Sequence, residues 1–457
     1  MEKNDIYRRK KVLVLGLAKS GFHVAKLLGE LGAKVIINDS MDLTEDPQAK
    51  ELESLGMKVI SGGHPIALLD ETFDLLVKNP GIPYENPMIK KALNKNIPVI
   101  TEVELASSVM KGYLIGITGT NGKTTTTTII QEMLALDRKT GTAYAIGNIG
   151  IPASQIALTT KEEDDLVMEL SSFQLMGTKT IRPRIAVITN ITEAHLDFHG
   201  TKAAYIAAKL KLIENQKKED ILIYNADQLG LKELLKKNSN AQLLPFSTKK
   251  YFNDGISIKN EIIYFKGESV ANVSNIFLKG SHNLENYLAA IAVAKIKEVR
   301  NDHIRQVMQN FKGVKHRTQF LTEWNERVFY NDSKATNIEA TEKALSSFDK
   351  PVILLAGGLD RGDDLKDLIP YFKKHVKALV TFGETAELLK EVARLAGIKN
   401  IKKVKDMEKA VSKAYELSER KDVILLSPAA ASWDQYENFE IRGDHFIKAV
   451  NDLTKKI

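Results

Sequence analysis

Short apolar runs that break off into glycine-rich or polar loops recur along this chain. Each predicts a buried strand whose carboxyl end opens onto a ligand edge. The first is Lys11 to Leu15 (KVLVL), followed by GLAKSG at Gly16 to Gly21 and a helix through Leu31. Val35 to Ile37 predicts a strand ending at Asn38 and Asp39, and Leu75 to Val77 one that runs into Asn79, Pro80 and Gly81. Pro98 to Ile100 is a further short strand before a helix over Thr101 to Met110. Tyr113 to Ile117, Asp165 to Leu170, Arg184 to Asn190 and Ile221 to Tyr224 continue the series. Residues 250–280 alternate short β-like runs with Asn, Asp and Gly, which predicts hairpins. Strand-helix alternation then returns at Arg327 to Tyr330, Pro351 to Leu355, Leu379 to Phe382 and Val423 to Leu426.

The stretch YLIGITGTNGKTTTTT at Tyr113 to Thr128 organises the rest. A strand, a glycine loop, Lys123-Thr124 and a helix make a phosphate cradle, with loop amides and a helix N-terminus facing the anion. Gly119, Thr120, Asn121 and Gly122 form the loop, Lys123 reaches terminal phosphates, and the Thr124 hydroxyl suits Mg²⁺, with Thr125 beside it. The general G-x-x-x-x-G-K-[ST] spacing asks for glycine at Ile117, and the glycines stand at Gly116 and Gly119 instead. The fold expected is α/β in three domains: a Rossmann-like N-terminal domain over 1–110, a central P-loop ATPase-like domain over 111–313, and a C-terminal Rossmann-like domain over 314–457.

Composition narrows the class. With 457 residues, 43% hydrophobic and 27% charged, the chain can bury several cores. No apolar run approaches the ~20 residues that span a bilayer. The N-terminus MEKNDIYRRKK lacks the apolar stretch of a secretory signal. The absence of cysteine excludes disulfides, thiolate nucleophiles and Cys-zinc sites. A cytoplasmic enzyme, monomeric and without membrane insertion, is the expectation. The +7 charge is spread without long blocks and predicts solvated faces, with no nucleic-acid partner.

Other residues carry chemistry by position. Glu169, near a strand end, can face the phosphate loop and hold Mg²⁺. His195 and His199 follow the next strand, and His195 is the candidate ligand. By composition alone Lys209 is an ordinary helix lysine, in a helix capped by Thr201. Gly16 to Gly21 approaches a dinucleotide fingerprint with Ala18 where the second glycine belongs, and Asp39 lies near the spacing of a ribose-binding acid. NAD, a nucleotide-sugar, or structural use alone all fit that motif.

The ordered set GITGTNGKTT, ELSSFQL, TNITEAHLD, GSHNLEN, HR, NDSKATN, GGLDRG and SPAAASWDQYENFEIRG resembles the Mur ligases over the whole chain. The resemblance implies an ATP-driven ligase of peptidoglycan precursor synthesis that joins D-glutamate to UDP-N-acetylmuramoyl-L-alanine through an acyl phosphate. It also implies two Mg²⁺ ions. Glu169 would ligate one and His195 a second, together with a carbamylated Lys209. Asn283 and Asn286 resemble the adenine-side asparagines, Arg317 an arginine on the nucleotide phosphates, and Asp332 and Lys334 contacts to ATP and the reacting groups. Thr336, Ser432 and Phe439 match positions that hold D-glutamate, and Arg361 stands where some members carry lysine. Ser20, Asp39 and Asn79 would contact the uridine nucleotide, and Asn148 the substrate near the reacting centre. Within the family the rivals add L-alanine, a diamino acid, or glutamate to folate. Two other classes are an NAD-dependent dehydrogenase, resting on Gly16 to Gly21 and Asp39, and a phosphate-loop switch with no covalent product.

Overall fold

In a computed structural model, the structure describes residues 6–136, 138–192, 195–278 and 280–455. The chain divides into two compact units, the first ending at Phe311 and the second beginning at Lys312.

The first unit holds two sheets. Strands β1 (Lys11–Leu15), β2 (Lys34–Asn38), β3 (Lys58–Ile60), β4 (Leu75–Lys78) and β5 (Val99–Thr101) form a parallel sheet in the order β3-β2-β1-β4-β5. Chain order reverses between β1 and β4, which opens a crevice at their carboxyl ends. Helix Ala18–Glu30 packs close over β1, and a Cβ on Gly21 would fall 2.1 Å from the Gly16 carbonyl oxygen. That approach explains glycine at position 21 without any appeal to a ligand.

The second sheet has nine strands: β6 (Tyr113–Thr118), β7 (Ala143–Gly147), β8 (Asp165–Glu169), β9 (Ile185–Ile188), β10 (Ile221–Asn225), β11 (Gln242–Ser247), β12 (Ile256–Lys259), β13 (Ile262–Phe265) and β14 (Glu268–Asn272). Their order is β14-β13-β12-β11-β10-β9-β6-β8-β7, parallel except for the two hairpin pairings of β12 to β14. The expected hairpins are those three strands. Helix Ser281–Ile296 is buried almost all round, and packs against helix Lys123–Leu136.

A polar seam joins the two sheets. The Thr101 hydroxyl donates to the Gln174 carbonyl at 2.7 Å, and Ser154 N donates to the buried Glu102 carboxylate at 2.6 Å. Glu104 accepts from both the amide and the hydroxyl of Thr180.

The second unit is built on β15 (Gln319–Trp324), β16 (Arg327–Asn331), β17 (Val352–Gly357), β18 (Val376–Phe382), β19 (Asn400–Lys403) and β20 (Val423–Leu426). The order is β15-β16-β20-β17-β18-β19, with only β15 antiparallel. Leu354, Leu379 and Leu425 enter the core on one face, while Ile353, Val380 and Ile424 enter the core on the other. Burial on both faces accounts for the continuous apolar runs. The loops after β16, β20 and β17 therefore lie side by side at the carboxyl edge.

Candidate active site

The phosphate loop leaves β6 at Thr118, between the carboxyl ends of β8 and β9. Gly119 has φ +156°, and a Cβ there would fall 1.9 Å from the Thr189 hydroxyl; Gly122 has φ +81°, and its Cβ would meet Asn286 Oδ1 at 2.2 Å. Glycine is thus required twice within four residues. Thr120 Oγ1 pairs with the Tyr205 hydroxyl at 3.0 Å, and Asn121 N donates to Asn190 Oδ1 at 3.0 Å. The Lys123 ammonium donates to the Gly119 and Thr120 carbonyls, both at 2.9 Å, so the cation is held over the cradle. Thr124 is buried and Thr125 half-buried in the first turn of the following helix.

Behind the loop lies Lys209, 1% exposed on helix Lys202–Leu210. The helix starts where Thr201 Oγ1 accepts from Ala204 N at 3.1 Å. Lys209 Nζ donates to the Gly119 carbonyl at 2.6 Å and lies 4.7 Å from the Tyr205 ring centre. Burial, and then repulsion from Lys123, lower its pKa to about 6, while Glu169 pulls the other way. At neutral pH this lysine is an uncharged amine.

Glu169 closes β8 and is 1% exposed. Its Oε1 accepts from Asn148 Nδ2 at 2.8 Å, while its buried Oε2 has no hydrogen-bond partner among the described residues. A buried carboxylate oxygen left open in this way fits a metal ligand. His195 is exposed with φ +55°, its ring 5.1 Å from Phe173 and 6.3 Å from Tyr205. Glu193 and Ala194, just before it, lie outside the described residues. Asn283 and Asn286 occupy the first turns of helix Ser281–Ile296, and Asn286 Oδ1 accepts from Thr126 Oγ1 at 3.2 Å.

A second group lies at the carboxyl edge of the first sheet. Asn79 Nδ2 reaches the Ser20 hydroxyl at 3.4 Å across the β1–β4 crevice. The Asp39 carboxylate accepts from Leu17 N at 2.7 Å and Met41 N at 2.9 Å, so it also braces the loop after β1.

In the second unit the three edge loops carry the remaining candidates. Asp332 is buried and accepts from Thr318 N and from the Ser427 hydroxyl, each at 2.9 Å, and burial raises its pKa to about 6. Arg317 is exposed beside it in the chain segment that leads to β15. Lys334 Nζ lies 5.5 Å from the Phe439 ring centre, and Arg361 donates to the Thr336 carbonyl at 2.7 Å. Ser432 is buried.

Sequence reasoning passed over Arg442, which binds these loops together. Its fully buried guanidinium donates to the Ser333 hydroxyl (3.1 Å) and carbonyl (2.9 Å), to the Ala430 (3.1 Å) and Ala431 (3.2 Å) carbonyls, and to the Gly357 carbonyl at the end of β17 (3.4 Å). No carboxylate ion-pairs with it among the described residues, and burial lowers its pKa to about 10. Tyr205 was also passed over; its spacing four residues before Lys209 was the available signal.

Residues 10–101 match the Mur ligase MurD-like N-terminal domain, 117–294 the Mur ligase middle domain, and 316–430 the Mur ligase glutamate ligase domain. The chain is 53% identical over 456 residues to a UDP-N-acetylmuramoylalanine–D-glutamate ligase of Lactiplantibacillus plantarum, covering 100% of this chain and 99% of the relative. It is 54% identical over 454 residues to the enzyme of that name from Geobacillus kaustophilus, covering 99% and 100%. In fold it is similar to the UDP-N-acetylmuramate-alanine ligase MurC of Thermotoga maritima, with TM-score 0.57, 19% identity, and 97% and 100% of the two chains covered. Domain by domain and along its full length, this chain belongs to the Mur ligase family.

Proposed function

We propose that this chain is the ligase that adds D-glutamate to UDP-N-acetylmuramoyl-L-alanine, driven by ATP cleavage, in peptidoglycan precursor synthesis. The observation that carries this reading is the identity of more than half of all positions, end to end, to ligases of that name. The described residues include no helix long and apolar enough to cross a membrane.

The reaction needs two transfers. A carboxylate oxygen of the alanyl group attacks the γ-phosphorus of ATP, which releases ADP and forms an acyl phosphate. The amine of D-glutamate then attacks the acyl carbon, loses a proton, and expels phosphate as the amide forms. Both steps bring anions together, so fixed positive charge and preorganised donors lower the barrier. Lys123 and the Gly119–Gly122 loop hold the triphosphate, with Asn283 and Asn286 on the adenine side; Arg317 and Asp332 are assigned to ATP by the family resemblance. Lys334 steadies the transferring group. Thr336, Arg361, Ser432 and Phe439 take D-glutamate. Ser20, Asp39 and Asn79 take the uridine nucleotide, and Asn148 the substrate near Glu169.

Thr124, Glu169, His195 and Lys209 would hold Mg²⁺, which supplies charge neutralisation on the phosphate oxygens. The open Glu169 oxygen and the neutral Lys209 amine fit that assignment. Lys209 would serve as a carbamate, formed when its nitrogen adds to the carbon of CO₂ and releases a proton. Labelled bicarbonate should give a carbamate carbon signal that the Lys209→Arg variant lacks, and a bare amine in both would remove this part of the reading.

The overall test offers D-glutamate, L-alanine, L-lysine and diaminopimelate separately, with ATP, Mg²⁺ and the muramoyl-alanine nucleotide. ADP, phosphate and a new amide should appear with D-glutamate. ATP turnover without any acceptor would favour a phosphate-loop switch instead.

A further inference from the structure

Lys78 ends β4, directly beside the crevice where the order of the first sheet reverses. That crevice is lined by Gly16, Ser20, Lys78, Asn79 and Glu102 among others. The lysine is 1% exposed, which is rare for a cation without an anionic partner. No carboxylate pairs with it among the described residues. Its ammonium donates to the carbonyls of Asn79 (3.2 Å) and Pro80 (3.1 Å) and lies 5.0 Å from the Tyr84 ring centre.

Those carbonyls belong to one tight turn. Asn79 N donates to the Leu15 carbonyl at 2.8 Å, Gly81 N to Asn79 Oδ1 at 3.0 Å, and Ile82 N to the Asn79 carbonyl at 3.1 Å. Pro80 has no N–H, so the turn lacks one internal donor, and the lysine supplies donors from below. Burial lowers the Lys78 pKa to about 8, which leaves the ammonium as the main form at neutral pH. An apolar side chain of the same length could lie beside the Tyr84 ring with no desolvation penalty. The cation therefore points to a task other than packing.

We propose that Lys78 is a positioning residue for the nucleotide end of the substrate. Its buried ammonium clamps the Asn79–Pro80–Gly81 turn so that the Asn79 amide is held at Ser20 across the crevice. This rests on the reading that Asn79 meets the uridine nucleotide. Lys78 stands on the first sheet and the phosphate loop on the second, so its effect is assigned to the nucleotide substrate alone.

The experiment is steady-state kinetics on Lys78→Met, Asn79→Ala and the double variant, in the full chain. Lys78→Met should raise KM for the muramoyl-alanine nucleotide about tenfold, as expected for lost hydrogen bonds to a charged group. Its kcat, and KM for ATP and D-glutamate, should stay within about twofold. The double variant should be no worse than the more damaged single one, because both act through one turn. Lys78→Arg, which keeps the charge and donors, should recover most of the affinity. Lys78→Leu, which also removes every donor, stands in for the methionine variant if that one is insoluble, and is read the same way. A nucleotide KM that rises in Asn79→Ala and not in Lys78→Met overturns the proposal. One that is unmoved in Asn79→Ala overturns the nucleotide reading beneath it.

Discussion

Lys209 Nζ lies 2.6 Å from the Gly119 carbonyl oxygen, so a helix lysine and the first glycine of the phosphate loop are in direct contact. With a pKa moved from 10.5 to about 6, Lys209 is uncharged when folded and protonated when unfolded across that whole interval. The unfolded chain then binds the extra proton, and stability rises with pH from about 6 towards 10.5 and is lost on acidification through 6. In CO₂-free buffer, where Lys209 stays an amine, Lys209→Met measured by denaturant unfolding across a pH series should flatten this rise. An unchanged slope would contradict the placement of Lys209 as a buried amine.

Asp332 behaves in the opposite sense. Its pKa rises from 3.8 to about 6 on burial, so the folded form keeps a proton that the unfolded form has released. The stabilisation is complete below 3.8 and disappears as pH climbs through 6. Asp332→Asn stays neutral throughout, and its stability relative to the parent should increase between about pH 4 and pH 7. A constant difference over that range would show that the carboxyl is ionised in the fold.

Gly122→Ala places a methyl group 2.2 Å from Asn286 Oδ1 at φ +81°. Strain of ~1–3 kcal/mol is expected there. Calorimetric titration with ATP should show at least tenfold weaker binding. Gly200→Ala provides the control, since its φ is +71° yet nothing lies within 4 Å. Equal affinities in the two variants would mean that the Gly122–Asn286 approach has no part in nucleotide binding.

Arg442→Met leaves the Ser333, Ala430 and Ala431 carbonyls without their shared donor. Buried unsatisfied acceptors cost ~1–3 kcal/mol each, partly relieved by relaxation, so a loss of ~2–4 kcal/mol is expected. Hydrogen exchange should show protection falling first at β16, β17 and β20. Loss confined to the helix that bears Arg442 would refute its role as the common anchor of the three loops.

Much of the sheet framework was legible because central parallel strands are apolar on both faces. Lys11–Leu15 and Val423–Leu426 were expected at their observed bounds. Strands missed by periodicity have physical reasons for looking unlike strands. Ala143–Gly147 is small and ends in glycine, and Gln242–Ser247 contains Pro245, which ordinarily argues against an interior strand. Among the candidate residues, the glycine loop was visible from its setting between a strand and a Lys-Thr helix start, although the general spacing fails at Ile117. Lys209 was not, since helical periodicity does not reveal which lysine a fold will desolvate, and only the family resemblance singled it out. Arg442 and Lys78 were invisible for the same reason: their partners are backbone carbonyls from distant or neighbouring loops, and carbonyls leave no mark in a sequence.

The turn after Glu169 is closed by a reciprocal pair, in which Ser171 Oγ accepts from Gln174 N at 3.3 Å and Gln174 Oε1 accepts from Ser171 N at 3.0 Å. Chain length there is consequently a fixed quantity, and one inserted residue would swing the carboxylate off its mark. Farther along the same carboxyl edge, towards β14, the chain has slack. The Asn260–Glu261 turn between β12 and β13 has φ values of +50° and +60°, a self-contained two-residue reversal. A reporter peptide grafted at that tip is the natural way to label this enzyme without disturbing its chemistry.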